Sequence, residues 1–177
     1  SRASAERGRD EILAILAGPA SAAGLRLLDG WGALEVLLPE CGPMRATAQP
    51  EPHRFDVWEH SLRAVEGADL LAVRARELEP WGETLAGHLE EPLGDGATRR
   101  EALKLAALLH DVSKPETRSV EEGRTHFLGH DTLGAGRAAA IAWRLRLSGR
   151  MTGVLERLVR HHLRPMHLAQ SGSVTRR

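Results

Sequence analysis

Apolar residues recur along most of this chain three and four positions apart, the spacing that gathers side chains on one face of a helix. Near the N-terminus, Ile12, Leu13, Ile15 and Leu16 predict a helix over roughly 5–16, with Ser4 as its cap and Gly18-Pro19 as its stop. Ser21 can cap a second helix through Leu25, Leu27 and Leu28, ended by Asp29-Gly30. A third short helix spans about 33–38 and stops before Pro39. These three read as a small helical bundle without chemistry, with Arg2, Glu6 and Arg9 on its surface. Four prolines between Pro39 and Pro52 predict a loop there and place a boundary between residues 1–45 and 46–177.

Beyond the boundary, a longer helix is expected over about 55–79. Val57, His60, Ala64, Gly67, Ala68 and Leu71 share one of its faces. The acidic stretch 77–95 is broken by Pro and Gly and leaves room for a short helix at 83–91. From about Thr98 the next helix carries Leu103, Ala106, Ala107 and His110 on its inward stripe, and Pro115 forces its exit. Residues 116–129 are polar, with a turn at Gly123. Thr125-His126-Phe127 is expected to be briefly extended with nothing to pair with. Gly129-His130-Asp131 opens a helix over 132–147, closed by Ser148-Gly149. The last helix runs over 152–162, carrying Val154, Leu155, Leu158 and Val159. Pro165 and a Gly/Ser-rich stretch follow with no structural stop, so the domain is expected to be truncated at its C-terminus. The reading is all-α, with no internal repeat.

Composition narrows the function classes. Lys plus Arg equals Asp plus Glu at 24 each, so net charge points to no partner. Basic residues do collect late in the chain: Arg137, Arg144, Arg146, Arg150, Arg157, Arg160, Arg164, Arg176 and Arg177 face the single acid Glu156. They are either a phosphate-meeting surface or ordinary solvated helix faces. A single cysteine, Cys41, excludes an internal disulfide and a cysteine-based zinc site. No apolar run approaches the ~20 residues of a membrane span, and no signal peptide opens the chain. A cytoplasmic protein away from the membrane is expected.

The nine histidines change the picture most. His110-Asp111 at the buried end of an apolar helix is costly unless a metal, an ion pair or a hydrogen-bond network compensates the charge. His60, His110 and Asp111 could hold one ion. Asp111 could bridge to a second held by His130 and His162 or His161. Imidazole with carboxylate suits iron, manganese, cobalt, nickel or zinc. Two such ions about 3.5–4 Å apart clamp the attacking and leaving oxygens of phosphoryl transfer. Each residue alone also has a plain structural reading: His60 as a core histidine, His130 bonding backbone, and His161-His162 favouring a helix dipole. His53, His88, His126 and His167 read as surface. Lys114 and Arg164 are placed to reach a phosphate oxygen, or are surface charges.

In this order, Glu59-His60-Ser61, Leu109-His110-Asp111-Val112-Ser113-Lys114-Pro115, Gly129-His130-Asp131 and Val159-Arg160-His161-His162-Leu163-Arg164-Pro165 resemble the HD superfamily of metal-dependent phosphohydrolases. The chain from Ser4-Ala5-Glu6-Arg7 through Leu25-Arg26-Leu27-Leu28 to Leu37-Leu38-Pro39-Glu40 is similar to the helical neck of bacterial tRNA nucleotidyltransferases, the CCA-adding enzymes and poly(A) polymerases. The resemblance implies an HD-domain-like helical bundle behind a small neck. It implies one or two divalent ions (Fe, Mn, Ni, Co, Mg or Zn) on His60, His110, Asp111, His130 and His162, the last fitting the pattern better than His161. It also implies Asp111 and Lys114 as catalytic residues, with Lys114 and Arg164 on the phosphate. Ser113 stands where the family usually has glycine, and no aspartate follows Asp131. The nucleotidyltransferase head, with its Gly-Ser turn and paired carboxylates on a sheet, is not among these residues. Two functions compete. One is hydrolysis of a phosphomonoester, cyclic phosphodiester or nucleotide. The other is a non-catalytic helical body that supports tRNA for a head outside this chain.

Overall fold

The computed structural model describes residues 2–171, with side chains from residue 5 onward. Its central post is α7 (Arg99–Leu109). Thr98 accepts from Arg100 N, while Glu101 Oε2 accepts from Thr98 N at 2.7 Å, a capping box that fixes where the helix begins. Ala102, Leu105, Leu108 and Leu109 are buried in the main core. Against α7 pack α5 (Val57–Arg74) and α10 (Gly149–Arg160), and α9 (His130–Arg144) lies on α10. Asp56 caps α5, accepting from Glu59 N at 2.7 Å.

The N-terminal helices α1 (Arg2–Ala17), α2 (Ser21–Gly30), α3 (Ala33–Leu37) and α4 (Cys41–Arg45) share that core, since Ile12, Leu16, Leu25, Leu34 and Met44 belong to the same buried cluster as Leu62 and Leu105. A buried lysine fastens the junction. Lys104 Nζ on α7 donates to Leu16 O at 2.9 Å, Gly18 O at 2.7 Å and Ser21 Oγ at 3.1 Å, and stands 2.8 Å from Asp69 Oδ1 on α5. The carbonyls left unpaired at the end of α1 attract a cation, and Asp69 balances its charge. On the other side, Arg144 donates to Leu37 O at 2.8 Å and grips both Glu40 oxygens.

Several local expectations change. Segment 39–52 contains α4. The long helix ends at Arg74 and tightens into a 3-10 turn, Ala75–Glu77, before α6 (Gly82–Leu89). Ser21 caps nothing: its hydroxyl turns back to Leu16 O and Gly18 O. α1 already begins at Arg2, so Ser4 lies within the helix and not before it; residues 172–177, with Arg176 and Arg177, lie outside the described residues. Ser148 does not close α9; it caps α10, accepting from Met151 N at 3.2 Å. Pro165 does not end the helices but sits in the first turn of α11 (Arg164–Ser171), where its missing N–H has no helical bond to lose.

The body is helical, with two small hairpins. β1 (Pro92–Gly94) pairs with β2 (Ala97–Thr98). After the single turn of α8 (Lys114–Thr117), β3 (Arg118–Glu121) pairs with β4 (Arg124–Phe127) in the register Ser119↔His126 and Val120↔Thr125. Segment 125–127 therefore has a partner. Glu122 at φ 50° and Gly123 at φ 75° supply the two left-handed residues that a tight hairpin turn needs. No helix of the described residues is long and apolar enough to cross a membrane.

The stripe expected to be fully inward on α5 is turned to one side. Val57, Ser61, Leu62, Val65, Ala68 and Asp69 are buried, while His60 and Ala64 are half-buried and Gly67 is exposed. On α7, Leu103, Ala107 and His110 are likewise only half-buried.

Candidate metal centre

α7 stops at Leu109, His110 caps it, and the chain turns through Asp111-Val112-Ser113 into α8. This corner sets Asp111 in the core, 1% exposed, beneath side chains from four separate elements. His110 Nε2 lies 3.0 Å from Asp111 Oδ2, Lys114 Nζ 2.7 Å and His60 Nε2 3.6 Å. On the other oxygen, Oδ1, His130 Nε2 lies at 3.3 Å and His162 Nε2 at 3.6 Å. α5, the α7 corner, the start of α9 and the end of α10 thus converge on one carboxylate.

The second nitrogen of three rings decides what they offer. His110 Nδ1 lies 2.8 Å from Ala107 O, His130 Nδ1 2.6 Å from Phe127 O and His162 Nδ1 2.7 Å from Val159 O. A carbonyl only accepts, so each Nδ1 carries the proton and donates it. In the neutral ring, Nε2 is then left as a lone pair. Those lone pairs point at an ionised carboxylate and at one another: His130 Nε2 and His162 Nε2 are 3.2 Å apart. Neither Asp111 oxygen receives a well-directed hydrogen bond from the described residues. Lone pairs facing lone pairs require a cation or a shared proton between them. The donor set therefore fits divalent metal in two groups, His60-His110-Asp111 and Asp111-His130-His162, each with ligand atoms within 4.8 Å of one another. Backbone carbonyls that fix the tautomer are the usual outer support of metal-binding histidines.

Electrostatics agree with this arrangement. Burial pushes Asp111 toward its neutral form, but the close imidazoles of His110 and His130 and the Lys114 ammonium outweigh it and hold the carboxyl well below the usual range. Burial, then the neighbouring His110, pulls His60 down to about 4. Burial also lowers His162. Burial alone would lower His130 too, but the adjacent Asp111 carboxylate and the Phe127 carbonyl raise it above its ordinary value.

Lys114 is buried beside this set, its ammonium donating to Gln49 Oε1 at 2.6 Å and lying 5.4 Å from the Phe127 ring centre. Nothing in the sequence pattern singles out Gln49, in the proline-rich loop, and His53 is expected on the surface. The His53 ring is exposed on one side but meets His60 edge-on, ring centres 5.3 Å apart, and burial with the Lys114 charge lowers its pKa. No periodicity in 46–56 could have marked either residue. His161 is exposed and outside both donor groups, and Arg164 is exposed at the start of α11. His88 pairs with Glu91 at 2.9 Å on the surface and His167 is exposed, whereas His126 is half-buried on β4.

Comparison with known proteins gives the arrangement its family. Residues 57–174 match the HD domain, and residues 1–43 match a region described as the probable RNA- and SrmB-binding site of polymerase A. The chain is 38% identical over 160 residues to a CC-adding tRNA nucleotidyltransferase of Thermus thermophilus, covering 89% of this chain and 31% of that protein. It is 34% identical over 160 residues to an A-adding tRNA nucleotidyltransferase of Deinococcus radiodurans, with the same coverage. It is 31% identical over 156 residues to a bifunctional uridylyltransferase/uridylyl-removing enzyme of Mycobacterium tuberculosis, covering 87% of this chain and 15% of that one. The chain thus spans about a third or less of these relatives. Four converging helix ends, one buried carboxylate and a matching profile over residues 57–174 lead to one conclusion: this chain belongs to the HD-domain family.

Proposed function

We propose that this chain carries a metal-dependent phosphohydrolase site, acting on a phosphomonoester or a cyclic phosphodiester or nucleotide. The observation that supports it most is the inward-facing Nε2 lone pairs of His110, His130 and His162 around a buried, ionised Asp111. His60, His110 and Asp111 would hold one divalent ion, and Asp111, His130 and His162 a second. Bound there, iron, manganese, nickel, cobalt, magnesium or zinc would supply Lewis acidity toward a phosphoryl oxygen and toward water. Asp111 stays ionised through the working pH range and bridges the two donor groups. Lys114, held by Asp111 and Gln49, places a fixed positive charge where a phosphoryl oxygen gains negative charge.

The test is elemental analysis of protein never exposed to chelator, followed by assays on cyclic phosphates and phosphomonoesters with each ion. One or two ions per chain, reduced in His110→Ala and lost in Asp111→Asn, with hydrolysis lost in both, is the expected result. Folded, metal-free protein that hydrolyses nothing with any added ion would overturn it.

A second reading is a non-catalytic body that supports tRNA. The match of residues 1–43 to a probable RNA-binding region, and the tRNA nucleotidyltransferases among the relatives, favour it. Its signature would be tRNA binding with a steep salt dependence by a metal-free sample.

A further inference from the structure

The stripe Leu103, Ala106, Ala107 and His110 on α7 does not face the main core alone. Together with Ala64 on α5, Leu158 on α10 and Pro165 on α11, it walls a cavity of about 430 Å³. This is the size of a small-molecule site. Two of its wall residues, His110 and His162, belong to the metal centre, one from each donor group, with ring centres 5.1 Å apart. The cavity therefore opens on the seam between the two groups.

The chemistry of the wall is specific. Its body is apolar, and three alanines leave open space where larger residues would fill it. The polar groups at its edge are Arg157 and His161 beside the two ligand histidines, and no carboxylate or amide side chain lines it. Arg157 and His161 are exposed and make no side-chain hydrogen bond or ion pair among the described residues. A guanidinium and aromatic imidazole rings around an apolar slot favour a flat ring, through contacts with its faces.

We propose that this cavity receives the organic group of the phosphoester, and that this group is a flat, uncharged ring. The inference rests on the phosphohydrolase reading. With the phosphoryl group across Asp111, the ring lies on the His110–His162 side, and Leu158, Arg157 and His161 set specificity. His161, outside the donor groups, gains a role as a rim residue.

Calorimetric titration of manganese-loaded protein with 1-naphthyl phosphate and with methyl phosphate tests this, repeated without manganese. Two variants leave the donor residues alone: Ala64→Trp fills the slot, and Leu158→Ala removes one wall from a residue already 36% exposed. Wild type should bind the naphthyl ester at least about tenfold more tightly. Both variants should lose that preference while keeping methyl phosphate affinity, manganese content and circular dichroism. Equal binding of the two esters, binding of neither, or a preference that survives both variants overturns the proposal. The outcomes separate from those of the parent reading. Turnover of methyl phosphate without a ring preference leaves the hydrolase and removes the cavity's role. A ring preference without turnover of any ester does the reverse.

Discussion

His130 Nε2 and His162 Nε2 stand 3.2 Å apart while the Nδ1 of each ring is committed to a backbone carbonyl, so neither ring can donate to the other without giving up its own anchor. The proposed metal site uses both rings, with Asp111, around one ion. Replacing one ring by alanine should leave a single donor group working. His162→Ala is expected to reduce the metal content to the His60-side ion, and His60→Ala to the His130-side ion. Asp111→Ala should empty both. Affinity at the altered group should fall by more than the about 10–100-fold typical of losing an outer partner. His161→Ala should leave metal content unchanged. Elemental analysis of the four variants checks this, and equal loss in His161→Ala and His162→Ala would contradict it.

Gln49 accepts from Lys114 at 2.6 Å and shares that ammonium with Asp111. Gln49→Ala frees one side of it without touching any metal-binding atom. The expected result is unchanged metal content with kcat reduced about three- to tenfold, the scale of one lost hydrogen bond. Lys114→Ala should lose far more. Steady-state kinetics on one phosphoester with all three proteins gives the comparison, and a full-speed Gln49→Ala enzyme removes Gln49 from the site.

Lys104 and Asp69 form a buried pair, 1% and 6% exposed. Lys104→Met leaves Asp69 and the carbonyls of Leu16 and Gly18 without their partner. Removing one member of such a pair typically costs about 3–5 kcal/mol. Urea unfolding should show a loss of that size. A shift below about 1 kcal/mol would mean the junction is solvated.

Glu101 gives a pH-dependent term. Burial alone would raise its pKa, but bonds from Thr98 and Arg100 hold it below its ordinary 4.5. A carboxylate depressed in the folded state stabilises the fold fully above its unfolded value, and the contribution is lost as pH falls through the lower folded one. Glu101→Gln should therefore flatten the stability curve below about pH 4.5. Thr98→Ala should cost about 1 kcal/mol at neutral pH. Denaturation between pH 3 and pH 7 measures both.

What the sequence made legible follows the range of each signal. α5, α7 and α9 repeat at helical spacing over three or more turns, so their existence and their histidines could be read directly. The faces were harder. His60, Ala64, Leu103 and Ala107 satisfy an apolar period yet lie half-buried, because a cavity wall and a core wall carry the same kind of residue. The β3–β4 hairpin has one apolar residue on its first strand, Val120, too few to show alternation. Pro165 punctuates either the end of a helix or the first turn of the next, and local pattern does not distinguish them. Gln49 and His53 reach the centre only through tertiary folding of a proline-rich loop, about which periodicity is silent.

The ammonium that joins α1 to α7 sits seven residues before Asp111, about 10 Å along one helix. The first forty residues consequently cannot swing as a hinged arm against the donor cluster without tearing a charged pair out of the interior. Any load placed on them is borne by the same rod that carries the carboxylate at its far tip.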